Sequence, residues 1–226
     1  MLLSDGYLAN GSEPWRLPDV DRLPRIDPGF ATGPNHTDAS GVEVFWPYER
    51  DPQTLARAWA VPGTAGLEHR IGGLEKEDGS GDISYEAANH DLMVRTRAAK
   101  VAAVADSIGD TWVDDPTGDA RTLVIGWGST YGPIGAGVRR VRREGLRVAQ
   151  AHLRHINPFP HDLGTVLRRY DRVLVPEMNM GQLAMLLRAE YLVDAIALNQ
   201  VRGLPFQAEE LADVIRELAT REGATA

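Results

Sequence analysis

Thr122-Leu123-Val124-Ile125-Gly126-Trp127-Gly128-Ser129-Thr130-Tyr131-Gly132-Pro133 decides the fold of this chain. The run over 122–125 is apolar and short, as a buried strand requires, and glycines then open a turn. Pro133 suits the first turn of a helix, where its missing N–H costs nothing. A helix over 133–144 and a second strand over 147–152 follow. The alternation continues with a helix over 162–170, a strand over 172–175, a helix over 181–189, a strand over 195–201 and a helix over 208–220. Strands joined by helices need crossover connections. Residues 119–222 are therefore expected to form an α/β domain, a mostly parallel sheet with helices on both faces.

Upstream the pattern is different. From 11 to 81 prolines and glycines recur, as in Glu13-Pro14-Trp15 and Gly33-Pro34, and no periodicity lasts. That composition predicts an irregular strap, extended and poorly packed, with Trp15, Phe45, Trp46 and Trp59 exposed for want of a scaffold. Between 85 and 108, Leu92, Val94, Ala98, Val101, Ala102, Val104, Ala105 and Ile108 recur at helical spacing and predict one helix. Pro116 and Gly118 mark a boundary over 110–119. The expected organisation is thus a segment over 1–20 that is the tail of a preceding domain, a strap plus helix over 21–118, and the α/β domain over 119–222.

Composition narrows the function. With 226 residues, 43% hydrophobic and 25% charged, the chain can bury a substantial core. A net charge of -8 gives no global positive field for nucleic acid or anionic lipid. The chain has 0 Cys, so it can hold no disulfide and no thiolate-bound iron–sulfur cluster. No basic, then apolar leader opens it, and no apolar run approaches the roughly 20 residues that span a bilayer. A cytoplasmic location is the expectation.

Four constellations invite chemistry. Gly126, Gly128 and Ser129 lie in a strand-to-helix turn that could present N–H groups to a small anion. A dinucleotide fingerprint fails there, because Tyr131 stands where it needs glycine and no ribose-binding acid follows the second strand. His152, His155 and His161 lie close in sequence, but Asn157-Pro158-Phe159-Pro160 separates the last two and no thiolate or carboxylate completes a ligand set. Glu177, Asn179 and Gln182 follow the third strand at the carboxyl edge, where open α/β sheets place their crevices. Asn179 also fits a helix cap, with Gln182 returning a capping-box bond. Finally, Asp5-Gly6 with Asn35 superficially matches a thiamine-diphosphate Mg²⁺ pattern, but Ser4 replaces its first glycine and the proline-rich intervening stretch cannot build the helix that should present the Asn. No metal site is expected in the chain.

Several separated stretches add up to a resemblance: Leu2-Leu3-Ser4-Asp5-Gly6-Tyr7-Leu8-Ala9-Asn10, Gly66-Leu67-Glu68-His69, His155-Ile156-Asn157-Pro158-Phe159-Pro160 and Val175-Pro176-Glu177-Met178-Asn179-Met180-Gly181-Gln182-Leu183. Together they resemble the carboxy-terminal part of 2-oxoacid:ferredoxin oxidoreductase alpha subunits, of the 2-oxoglutarate type by overall similarity, with pyruvate as the open alternative substrate. The resemblance implies a last domain like the transketolase carboxy-terminal domain, and a segment over 1–20 that ends a thiamine pyrimidine-binding domain. It implies a complex that converts a 2-oxoacid, CoA and oxidised ferredoxin to acyl-CoA, CO2 and reduced ferredoxin. Thiamine diphosphate, Mg²⁺ and an iron–sulfur cluster would sit on the partner beta subunit, and none on this chain. No catalytic or cofactor-binding residue carries over, since the upstream Tyr-Pro-Ile-Thr-Pro type motif does not occur here. Glu177, Asn179, Gln182, Gly126, Gly128 and Ser129 remain as interface or sheet-edge candidates in a hetero-oligomer. The competing expectation is an independent α/β domain that binds a small anion at the 126–132 turn.

Overall fold

In the computed structural model, which describes residues 3, 4, 10–12, 14 and 16–220, the chain divides into two units. One comprises residues 1–52 and 56–90, the other 53–55 and 91–226. Asp5, Gly6 and Trp15 lie outside the described residues.

The first unit carries four two-residue strands: β1 Phe30–Ala31, β2 His36–Thr37, β3 Glu43–Val44 and β4 Trp59–Ala60. β1 pairs parallel with β4, and β2 antiparallel with β3. So little ladder leaves the backbone to turns and to side chains. Asn35 grips Trp46 from both sides: its Oδ1 accepts from the Trp46 N–H at 2.7 Å and its Nδ2 donates to the Trp46 carbonyl at 3.0 Å. Asp38 accepts from the Ser40 and Val42 N–H groups and from the Ser40 hydroxyl, and those hydrogen bonds, the Ser40 hydroxyl first, hold its pKa below the ordinary carboxylate value. Asn89 joins the Lys76 carbonyl to the Asp78 N–H.

Exposure of the strap aromatics needs correction. Trp46 is half-buried and stacks on His36 with ring centroids 3.3 Å apart, and Phe45 is half-buried with its edge to His69 at 5.4 Å. Trp59 alone of the three described rings is exposed, at 63%. Ring stacking and Asx-type hydrogen bonds supply a framework that leaves no periodic trace in sequence.

The second unit contains the regular part. α1 (Ala87–Ala102), whose first residues fall in the first unit, runs on into a 3-10 turn over Ala103–Ser107. A five-stranded sheet follows, built from β5 Trp112–Asp114, β6 Thr122–Trp127, β7 Val148–Leu153, β8 Arg172–Glu177 and β9 Ala195–Asn199. Its order is β5-β7-β6-β8-β9, with every pair parallel except β5 with β7. The connecting helices are α2 Tyr131–Arg143, α3 Leu163–Leu167 and α4 Gln182–Tyr191, and α5 Ala208–Thr220 follows β9.

The strands read as continuous apolar runs because both faces are covered. Leu123 and Ile125 of β6 face α3 and α4, meeting Leu163, Leu167, Leu183 and Leu187. Val124, between them, faces α2 and α5 among Ile134, Val138, Leu211 and Ile215. The expected mostly parallel sheet with helices on both faces is therefore present.

Two boundaries differ from expectation. β5 occupies a stretch that reads as a linker, since three residues are too few to show a period. Arg142 anchors it instead, reaching the Asp114 carboxylate at 2.7 Å and the Val148 carbonyl at 2.8 Å. α3 is also shorter than 162–170, because its end tightens into a turn in which the Arg169 and Tyr170 N–H groups donate to the Val166 and Leu167 carbonyls, while at its start the Asp162 carboxylate accepts from the Thr111 N–H and hydroxyl.

Candidate functional site

From β6 the chain crosses to β7 on one side and then returns to β8 on the other, so the connections diverge between the carboxyl ends of β6 and β8. Such a switch point opens the crevice of an α/β sheet. Trp127 ends β6, Glu177 ends β8, and Asn199 ends β9 opposite Glu177.

Glu177 is 0% exposed, and hydrogen-bond donors surround its carboxylate. Oε1 accepts from the Leu183 N–H at 2.8 Å, the Asn179 amide at 3.1 Å and the Trp127 indole at 3.2 Å, while Oε2 accepts from the Ala184 N–H at 3.0 Å. Asn179 Oδ1 accepts from the Gly181 and Gln182 N–H groups at 2.7 and 3.1 Å. The first N–H groups of α4, which no helix can satisfy internally, are thus taken by the last residue of β8 and the loop after it. Carboxylate charge at this end of a helix is also favoured by the aligned peptide dipoles. The anion position that such a helix start offers is filled by the chain's own Glu177.

The expected Asn179 cap is present in this form. The returning bond from Gln182 is not: its side chain is exposed and makes no hydrogen bond among the described residues. Gly181 completes the loop with φ +92, and a Cβ there would stand 2.9 Å from the Asn199 amide. Substituting Asn179 by alanine is expected to cost about 1 kcal/mol, the usual value of an N-terminal cap, with little else changed. Urea denaturation checks it; a loss above about 3 kcal/mol would show that Asn179 holds more than the helix start.

Gly126, Gly128 and Ser129 separate in role. A Cβ on Gly126 would lie 2.3 Å from Ile134 Cδ1 and 2.5 Å from Thr130 Oγ1, so glycine is needed there for packing. Gly128 and Ser129 are exposed in a 3-10 turn over Gly128–Thr130, which Thr130 closes by donating its hydroxyl to the Trp127 carbonyl at 2.8 Å. The structure brings this turn to Glu177 through Trp127, a residue that sequence reasoning passed over. Only knowledge of which strands are neighbours could have singled it out.

The three histidines do not converge. His161 Nε2 lies 2.8 Å from Asp106, His155 is exposed, and His152 packs edge-on against Tyr131. Burial, with Arg154 adding to it, holds the His152 imidazole below its ordinary pKa. Among the described residues no group of three His, Asp or Glu side chains could hold a metal ion, and no helix is long and apolar enough to cross a membrane. A wide, mostly apolar groove of about 920 Å³ runs between α1 and α4, with Val101, Ile156, Phe159, Leu186 and Tyr191 on its walls.

Comparison with known proteins gives a consistent result. Residues 120–211 match the family described as pyruvate:ferredoxin oxidoreductase core domain II. The 2-oxoglutarate oxidoreductase subunit KorA of Mycobacterium tuberculosis is 59% identical over 216 residues, which are 96% of this chain and 32% of that protein. Subunit alpha of 2-oxoacid:ferredoxin oxidoreductase 2 from Aeropyrum pernix is 30% identical over 68% of this chain and 23% of its own length. Among solved structures, 2-oxoglutarate:ferredoxin oxidoreductase from Magnetococcus marinus, with 2-oxoglutarate, coenzyme A and succinyl-CoA bound, superposes with TM-score 0.71. It is 31% identical, over 81% of this chain and 32% of that one. The chain therefore spans a third or less of these relatives.

Proposed function

Because the chain belongs to the alpha-subunit family of the 2-oxoacid:ferredoxin oxidoreductases, we propose that it is a structural and assembly segment of a 2-oxoglutarate:ferredoxin oxidoreductase. The complex would convert 2-oxoglutarate, CoA and oxidised ferredoxin to succinyl-CoA, CO2 and reduced ferredoxin in the cytoplasm. A beta subunit and ferredoxin are its partners in this reading. The observation that carries it is the 59% identity to a 2-oxoglutarate oxidoreductase subunit along 96% of the chain.

The residues at hand do not fit the complex's cofactors. Asn35, the described residue of the thiamine-like pattern that would act as a ligand, has both ends of its amide committed to the Trp46 backbone. With 0 Cys the chain offers no thiolate to an iron–sulfur cluster. The filled helix start at Glu177 further supports a non-catalytic role for the switch point. Glu177, Asn179, Gln182, Gly126, Gly128 and Ser129 then form a sheet edge that faces the catalytic domains, with residues 119–222 as the docking domain, 21–118 as a connecting strap and helix, and 1–20 as the end of a pyrimidine-binding domain.

Two measurements test this. The purified chain should give no calorimetric signal with Mg²⁺ and thiamine diphosphate, and no reduction of ferredoxin with 2-oxoglutarate and CoA. Expressed with a beta subunit and the remaining alpha-subunit segment, it should co-purify with them and support turnover. Ferredoxin reduction by the chain alone, or a chain that elutes free of both partners, would overturn the proposal.

A further inference from the structure

Beside β7, on the face covered by α2, lies a pocket of about 350 Å³ lined by Trp112, Tyr131, His152 and Arg154. It is separate from the Glu177 network and built wholly from the second unit. Three elements shape it. Trp112 opens β5 and stands opposite His152 of β7 in register, Tyr131 is the first residue of α2, and Arg154 follows β7.

The four side chains are complementary. Trp112 and Tyr131 are 45% and 52% exposed, yet their rings hold each other at 5.8 Å, and Tyr131 meets the His152 ring at 5.0 Å. Exposed aromatics fixed in this way offer π-faces to a planar group without further ordering. His152 Nδ1 is shielded from solvent and has no hydrogen-bond partner, so the imidazole serves the pocket as a wall and not as a polar contact. Arg154 forms no ion pair or hydrogen bond among the described residues, whereas Arg121, Arg142, Arg147 and Arg216 are all paired with carboxylates. Among the described residues no carboxylate lines the pocket.

Two exposed aromatic rings beside an unopposed guanidinium describe a ligand with an aromatic base and an anionic end. The volume falls at the small end of ligand pockets, about 300 to 1,000 Å³, and suits one nucleotide unit. We propose that the Trp112–Tyr131–His152–Arg154 pocket binds a nucleoside monophosphate. The base stacks on the Trp112 ring, the Tyr131 ring, inclined to it at 60°, meets the base edge, and the phosphate meets the Arg154 guanidinium. The site needs no residue of a partner subunit, so its test is independent of the oxidoreductase assignment.

Calorimetric titration of the whole chain with AMP is the test, with adenosine and inorganic phosphate as separate arms. AMP should bind with Kd below about 1 mM, and each half-ligand at least about tenfold more weakly. Arg154→Ala should weaken AMP about tenfold or more, as loss of a charge-assisted contact does. Trp112→Ala should do so through lost stacking. Circular dichroism should show both variants folded, and Trp112→Phe, which keeps a π-face, should retain binding should the alanine variant prove unstable. No heat with AMP at several times that concentration would overturn the proposal. So would phosphate or adenosine binding as tightly as AMP, or undiminished affinity in Arg154→Ala.

Discussion

Replacing Glu177 with alanine should be the most destabilising single change at the carboxyl edge, lowering the unfolding free energy by about 3 to 5 kcal/mol. Two of its four donors are backbone N–H groups at the start of α4, on residues themselves only 1% exposed. Water cannot replace the lost oxygens there. Each orphaned donor costs roughly 1 to 3 kcal/mol, and relaxation recovers part of the sum. Glu177→Gln separates charge from shape: one oxygen remains, but its new amide hydrogens confront a donor, so a smaller loss of about 1 to 3 kcal/mol is expected. Urea midpoints of the three proteins decide the matter. An alanine variant within about 1 kcal/mol of the parent would mean that the network is not what holds α4.

The second large effect is expected at Gly126. A methyl there overlaps Ile134 Cδ1 and Thr130 Oγ1. Ile134 is 0% exposed in a filled core, and Thr130 Oγ1 both accepts from the Trp127 N–H and donates to its carbonyl, so neither atom yields cheaply. Gly126→Ala should therefore cost about 1 to 3 kcal/mol, the usual penalty for overpacking. Gly126→Val should cost more, and Gly128→Ala, with nothing within 4 Å of its Cβ but φ +56, should cost only backbone strain. Thermal melts that rank Gly128→Ala below Gly126→Val would sink this division of roles within the turn.

What was legible in the sequence follows from how far each interaction reaches along the chain. β6, β7, β8, α2, α4 and α5 announce themselves because Leu123, Val124 and Ile125, or Ile134, Val138 and Val141, repeat the pattern of a buried element within a few residues. The Asn179 cap is local and was equally visible. β5 was hidden, since its place depends on Arg142 reaching Asp114 across 28 positions. Trp127 and Glu177 lie 50 positions apart, and their bond exists only because β6 and β8 are neighbours. Strand order, unlike strand content, has no one-dimensional signature. The strap aromatics failed for a related reason: Asn35 holds Trp46 over 11 positions through side-chain amides, which no hydrophobic period records.

The antiparallel β5 makes the two margins of the sheet unlike. It lies outside β7 and makes that margin a short antiparallel edge of three residues, while at the opposite margin no strand among the described residues pairs with the outer side of β9. An unpaired margin is a template for any extended chain that meets it. Leu192 and Val201, just before and just after β9, are 89% and 67% exposed and flank that margin with apolar surface. A strand joining β9 in parallel would continue the orientation of the four strands from β7 to β9.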